Sequence, residues 1–257
     1  MPEPEPGADR RRGSVRVVSY NLHKCADDRG ALEAVLRALR PDVLLAQEAP
    51  AGFRWRPRCA ELARRIGLTY VCGGGGEAAG NMVAVSLRCD VRATFVAPLP
   101  TPRFVQGRGM AGAVVDGAGV RFAVVATHLD LDARRRVVHV DRIVERAQAF
   151  AEMYSVPLLV GADTNETPGA PSWAAMTAAG LADRGVDQAA DRTWTTPTVG
   201  PDRRIDVLLS SPGLTVRRYA TGLDALAGPT PGITAATFTA ASDHLPVLVE
   251  VSVSSAA

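Results

Sequence analysis

Ser242-Asp243-His244-Leu245-Pro246, running directly into the apolar stretch Val247 to Val251, is the segment around which the chain can be read. An acid and an imidazole side by side at the mouth of a buried strand both prefer water or a partner. Taken alone, the pair is equally a strand-capping turn and a functional site. What decides between them is whether other polar groups arrive at the same place.

Several do. The β-branched run Val15 to Tyr20 has the length and composition of a buried strand and ends in Asn21-Leu22-His23-Lys24. Asp42 to Ala46 is a second such strand and ends at Gln47-Glu48. Val120 to Ala126 ends in Thr127-His128-Leu129-Asp130, and Pro157 to Val160 ends in Gly161-Ala162-Asp163-Thr164-Asn165. Asp206 stands instead near the start of a strand, Ile205 to Leu209, as Asp243-His244 stands before the last one. In a mixed sheet the C-terminal end of one strand lies beside the start of an antiparallel neighbour, so all these groups can share one rim. Each is explicable singly as a turn residue; together they are not. Three of the four histidines (His23, His128, His244) fall at such ends, whereas His139 falls in a helix and reads as solvated.

The intervening segments complete the frame. Asp27, Asp28 and Gly30 open a helix with Leu32, Val35, Leu36 and Leu39 on one face, stopped by Pro41. Arg58 to Ile66 fits a second helix, and Gly73 to Gly76 reads as a flexible turn, since it lacks the spacing of a nucleotide-binding loop. Asn81 to Leu87 and Val91 to Val96 are expected strands, and Gly112 to Val115 pairs with Val120 to Ala126 across Asp116-Gly117. Val137, Val140, Val144, Ala147 and Ala151 give the clearest helical period, over Ala133 to Glu152. A short helix near Ser172 to Ala179, a loop through Trp194, a strand near Leu214 to Tyr219 and a loose Gly/Pro/Thr stretch lead to the final strand. With no internal repeat or linker, residues 14–253 are expected to form a single domain after an acidic, proline-rich leader over residues 1–13 expected to be disordered.

Composition bounds the partners. The chain has 257 residues, 47% of them hydrophobic, 22% charged and a net charge of only +2, so it can bury a core but carries no strong overall field toward nucleic acid or membrane. Lys24 is the only lysine; the arginines that replace it suit bidentate phosphate binding. Cys25, Cys59, Cys72 and Cys89 follow no metal or disulfide spacing and read as reduced thiols. Without a run of about 18 apolar residues there is no membrane span, and a cytoplasmic, monomeric protein is expected. Glu48 and Asp243 are hard oxygen ligands, suited to Mg2+ or Mn2+ rather than zinc. With two histidines, an acid to orient one of them and amides to hold oxygen atoms, they make up the equipment of phosphate-ester hydrolysis. No GxSxG elbow points to a serine nucleophile.

Tyr20-Asn21-Leu22-His23-Lys24, Gln47-Glu48, Gly80-Asn81, Thr127-His128-Leu129, Gly161-Ala162-Asp163-Thr164-Asn165, Arg204-Ile205-Asp206 and Ser242-Asp243-His244-Leu245-Pro246 come in the order of the endonuclease/exonuclease/phosphatase superfamily, which the chain resembles from about Val15 to Val251. The resemblance implies a four-layer α/β/β/α sandwich: two mostly antiparallel sheets flanked by helices, with the site at one rim. It implies a divalent metal held chiefly by Glu48, with Asn21 and Asp243 near it. His244, oriented by Asp206, would be the base or the positive group facing the phosphate; Asp163 would orient or deprotonate the attacking water. Asn165 and His128 would hold non-bridging oxygens, and Arg108 loosely matches an arginine that some members aim at the phosphate. Two departures stand out. Gly161 is one residue further from Asp163 than in the usual pattern, and His23 stands where some nucleases carry an acid. The implied activity is that of a metal-dependent, nuclease-type phosphodiester hydrolase. The alternatives are an enzyme for a small phosphate ester, nucleotide or phospholipid headgroup, and a non-catalytic binding module. The last predicts loss of one or more of Glu48, Asp163, Asn165, Asp206 and His244, all of which are present.

Overall fold

The computed structural model describes residues 13–228 and 230–253, so the expected leader falls almost wholly outside it. In chain order the first half runs β1 (Val15–Asn21), α1 (Arg29–Leu39), β2 (Val43–Gln47), α2 (Trp55–Arg65), β3 (Thr69–Gly73), β4 (Met82–Val85), β5 (Cys89–Leu99), β6 (Arg108–Gly117) and β7 (Val120–His128). There follow α3 (Ala133–Met153), β8 (Leu158–Asp163), α4 (Pro171–Ala178), β9 (Ala182–Asp183), β10 (Asp206–Ser210), β11 (Leu214–Thr221), α5 (Ala235–Ala241) and β12 (Val247–Val253). Two six-stranded sheets result, ordered β11-β12-β1-β2-β4-β3 and β5-β6-β7-β8-β10-β9.

Their inner faces meet in one core of Val17, Leu45, Val83, Val115, Phe122, Val124, Leu208 and Val249. The outer face of the first sheet is covered by α1, α2 and α5 through Leu32, Leu36, Leu62 and Phe238. That of the second is covered by α3 and α4 through Ile143, Ala147, Trp173 and Met176. Strands buried on both faces are why β1, β2 and β8 read as unbroken apolar runs rather than alternating ones. This is the expected four-layer α/β/β/α arrangement. Among the described residues, no helix is long and apolar enough to cross a membrane.

Local chemistry sets the boundaries. Asp28 caps α1 by accepting the Ala31 amide, and Asp132 caps α3 by accepting that of Arg135. The β6–β7 turn falls two residues later than expected, at Ala118-Gly119, both at positive φ, so Asp116-Gly117 still belongs to the strand. α2 begins at Trp55 rather than Arg58. The glycine run is packed, not flexible. Gly73, Gly74 and Gly75 are buried, and Trp55 lies where side chains at Gly74 and Gly75 would project. β3 and α5 have no counterpart in the sequence expectations. α5 lies in the Gly/Pro/Thr stretch, where Thr234 and Thr237 cap it reciprocally.

His139 corrects another expectation. It is fully buried, and its Nε2 lies 2.9 Å from the Pro100 carbonyl, pinning α3 to the loop after β5. Burial holds its pKa below the ordinary histidine value. Above pH ~6.5 the ring is neutral in folded and unfolded chains alike. As pH falls, the unfolded chain takes up the proton first, so stability is lost on the acid side. His139→Leu is therefore expected to cost about 1 kcal/mol at neutral pH. Its melting temperature should fall less than that of the wild type between pH 7 and 5; parallel curves would contradict this.

The segment Glu77–Asn81 crosses directly over β6. Asn81 Nδ2 donates to the carbonyls of Ala78 and Gly109, and a Cβ at Gly109 would lie 2.0 Å from the Glu77 carbonyl oxygen. Because that obstacle is backbone, Gly109→Ala is expected to destabilise by about 3 kcal/mol, measurable by urea unfolding. A change under about 0.5 kcal/mol would mean the crossing is loose.

Candidate active site

β1 and β2 run parallel in register Asn21↔Gln47, which places Glu48 next to Asn21 at one rim of the first sheet. In the second sheet β7 and β8 are parallel with His128↔Asp163, and β10 is antiparallel to β8 with Asp206↔Asp163. β12 pairs antiparallel to β1 with Ser19↔Val247, which delivers Asp243-His244 to the same rim. The sheets approach closely here. Gly161 carries no side chain where Ser19 and Leu45 press from the opposite sheet. Its carbonyl lies 3.4 Å from Gln47 Nε2. The extra residue between Gly161 and Asp163 thus leaves the glycine serving the sheet contact.

Asp163 is the centre, only 1% exposed. Its Oδ2 accepts from Asn21 Nδ2 at 2.8 Å and lies 3.2 Å from His128 Nε2 and 3.9 Å from His244 Nε2. Its Oδ1 accepts the Asn165 backbone amide at 3.1 Å. Burial favours the neutral acid, but the two imidazoles and these donors outweigh it and hold the carboxyl below its usual range. His244 Nδ1 meets Asp206 Oδ2 at 2.8 Å. Burial opposes a charge on His244, yet Asp206, Asp163 and Asp243 together raise it to about 10. Burial pushes Asp206 upward as well, with His244 opposing. The carboxylates around the ring favour the imidazolium form of His244.

His128 differs. It is buried, its Nε2 lies 3.0 Å from Asn165 Nδ2, and burial holds its pKa below the ordinary value. Asn165 sits at φ 49° and anchors its amide on the Leu129 carbonyl at 3.0 Å. Arg108 is 6% exposed, and its buried Nε has no partner. Burial works against its charge, whereas Asp130, Asp163 and Glu48 favour it. A buried guanidinium stays protonated and aimed at anions, so this one lies ready for an oxyanion.

Glu48 stands apart, at φ 48°, its carboxylate making no hydrogen bond among the described residues and lying 4.0 Å from His128 Nδ1. Asp243 is half-exposed, 3.9 Å from His23 Nδ1. His23 bonds chiefly to Asp27 at 2.7 Å, which raises its pKa. Asn21 Oδ1 accepts the His23 amide at 3.0 Å and keeps a second lone pair. The tightest grouping of ligand-type atoms, within 4.8 Å of one another, is Asp163, Asp206 and His244. Asp163 accepts from Asn21 and the Asn165 amide, and Asp206 Oδ2 pairs with His244, whereas the buried Asp206 Oδ1 has no partner among the described residues. Glu48, Asp243 and Asn21 also keep free oxygen lone pairs at the rim, and that donor set fits Mg2+ or Mn2+.

The rim thus collects Asn21, Glu48, His128, Asp163, Asn165, Asp206, Asp243 and His244 from both sheets, with Arg108 beside them. Two supports went unnoticed in the sequence. Thr195 Oγ1 accepts the amides of Ile205 and Asp206, and its carbonyl accepts that of Leu245 at 2.6 Å. Ser242 Oγ donates to the Asn21 carbonyl at 2.7 Å and accepts the His244 amide. Thr195 lies in a loop without periodicity, so no sequence signal marks it.

Solved structures share this fold. The mannosyl-6-phosphatase of Bacteroides thetaiotaomicron superposes with a TM-score of 0.72 at 19% identity, over 92% of this chain and 99% of that one. The human Nocturnin catalytic domain with bound sulfate gives 0.69 at 17% identity over 95% and 96%. Truncated Caenorhabditis elegans TDP2 gives 0.67 at 17% over 93% and 97%. No curated protein matches by sequence. Residues 18–244 match the model of the Endonuclease/Exonuclease/phosphatase family. The chain belongs to that family and is a hydrolase of phosphate esters.

Proposed function

We propose that this protein is a divalent-metal-dependent phosphoesterase whose chemistry is centred on Asp163, and that it acts on a compact phosphate ester. The observation that carries the proposal is the meeting at Asp163 of two imidazoles, the Asn21 carboxamide and the Asn165 backbone amide. Arg108, His128 and Asn165 bind the non-bridging oxygens. Asp163 accepts a hydrogen bond from the attacking water and takes its proton as the oxygen approaches phosphorus. His244, kept cationic by Asp206, stabilises the charge that develops on the phosphoryl oxygens. Between Asp163 and His244, Asp163 is the base, because the carboxylates around His244 favour its protonated form. Asp206 is a positioning residue, itself held by Thr195.

Glu48, Asn21 and Asp243 would hold the metal, which when bound supplies Lewis-acid polarisation of the phosphate. EDTA is expected to abolish hydrolysis and Mg2+ or Mn2+ to restore it. Glu48→Gln is expected to raise the metal concentration for half-maximal activity by about tenfold or more. Activity in EDTA equal to that of the untreated protein would remove the metal from the proposal.

The preference for a compact substrate over a nucleic-acid backbone rests on where the arginines go. A polymer requires several backbone phosphates to be neutralised. Arg135 bonds to Asp130, Arg136 to Glu166, Arg204 to Asp183, Arg217 to Ser252 and Arg218 to Glu250. These internal bonds engage five of the clustered arginines and leave Arg134 and Arg203 exposed; Arg11-Arg12 lies outside the described residues. The nuclease reading is tested alongside, by a metal-supplemented panel of supercoiled DNA, RNA, nucleotides and small esters with His244→Ala as blank. Plasmid nicking that weakens steeply with salt would reverse the preference.

A further inference from the structure

Beside the rim lies a cleft of about 310 Å³ that the phosphate chemistry does not use. Thr167 and Pro168, just beyond Asn165, form one side of it. Thr193, Trp194 and Arg203, which flank Thr195 and precede Asp206, form another, with Val186 on the outer wall. The two segments that bracket the cleft therefore also carry Asn165 and the partner of His244. Its floor is firm: Arg204 is buried, bonded through both terminal nitrogens to Asp183, and stacked over Trp173 and Tyr219.

Trp194 is half-buried and, among the described residues, its ring has neither a stacking partner nor a hydrogen bond. The other two tryptophans are engaged. Arg56 lies over Trp55, and Trp173 donates to Thr164 and to the Glu166 carbonyl. Arg203 is largely exposed, and its contact with Asp202 at 3.5 Å between two exposed side chains is worth little. An indole and a guanidinium are both flat and both stack on flat rings. Gln188 and Asp202, also on the lining, offer a donor–acceptor edge. The volume is at the small end of ligand sites, enough for one ring system and not for a polymer segment.

We propose that this cleft binds the organic portion of the ester, and that this portion is a nucleoside, its base stacked on Trp194 and flanked by Arg203, so that the substrate is of the nucleotide class. The inference rests on the phosphoesterase proposal above and specifies its substrate. A hexose can lay one C–H face on the indole, but only a planar base gives the Arg203 guanidinium a flat face to stack on as well.

The test is calorimetric binding of adenosine 5′-monophosphate to the full chain, with glycerol 3-phosphate and a hexose 6-phosphate as comparison ligands. The nucleotide is expected to bind tightest. Trp194→Ala is expected to weaken it about tenfold, with Trp194→Phe restoring most of the loss. Arg203→Ala should weaken it by a smaller factor, and the preference for nucleotide over glycerol phosphate should collapse with Trp194→Ala. Equal affinity for the three ligands, tighter hexose binding, or indifference of the nucleotide to both Trp194 and Arg203 would overturn the inference. Circular dichroism of each variant identifies one that fails to fold, and Trp194→Phe with Arg203→Ala keeps the question decidable in that event. Hydrolysis is read separately. Trp194-dependent nucleotide binding without turnover of any ester would sink the catalytic proposal alone; turnover of glycerol phosphate with Trp194-independent nucleotide binding would sink only this one.

Discussion

Asp163→Asn is expected to lower kcat/KM on a generic phosphodiester such as bis(p-nitrophenyl) phosphate by about 10³-fold, with the fold intact. Asparagine preserves shape and one acceptor but cannot take a proton, and general-base contributions run to roughly 10²–10⁴-fold. Asn21 and the Asn165 amide donate to Asp163, and the ring of His244 faces it, which outweighs burial and keeps it ionised. Removing the charge therefore removes the proton acceptor. It also removes the counter-charge that, with Asp206, holds His244 in its protonated form. A loss below about tenfold, with unchanged circular dichroism, would mean that Asp163 only supports its neighbours.

His244→Ala is expected to cost about 10²–10³-fold in kcat, the range found when one preorganised donor to a developing charge is deleted. Asp206→Ala should cost less than this. The double variant should be no worse than His244→Ala by more than a few-fold, because Asp206 acts only through the imidazole it holds at 2.8 Å. Independent, multiplying losses would show Asp206 reaching the substrate by another route. Substitution of Thr195 by valine offers a milder version of the same test, since its hydroxyl accepts the Asp206 amide without touching the site.

The strand-end groups were legible because each follows or precedes an unbroken apolar run. Asn21, Glu48, His128 and Asp163 all sit at the last residue of a buried strand or just beyond it. A strand buried on both faces leaves a strong signal, and a polar residue at its end is easy to locate. α5 was illegible for the opposite reason. Ala, Thr and a single Phe238 give no hydrophobic period, and the helix exists because Phe238 packs on the first sheet's outer face and Thr234 caps it. His139 was misjudged because a helical period does not distinguish a polar residue facing water from one facing a carbonyl brought in by a distant loop; here the partner, Pro100, is 39 residues away. The same holds for the arginines. The sequence shows Arg135, Arg136 and Arg204 but not that Asp130, Glu166 and Asp183 are folded against them as ionic partners.

β1 pairs with β12, so Val15 lies opposite Val251, and the centre of the first sheet joins the two ends of the described chain. During synthesis the first strand emerges with its β2 neighbour available but its other edge unfilled until the last strand has been made. An open edge on an apolar strand is a template for the wrong partner. Pairings this distant in sequence also close slowly. His244 arrives with that final segment. The catalytic constellation is thus completed in the same event that closes the sheet, and a nascent chain that has not reached His244 and β12 has neither. The protein's vulnerability to aggregation is therefore greatest at the ribosome, where a chaperone that shields β1 would raise the yield of active enzyme without touching its stability once folded.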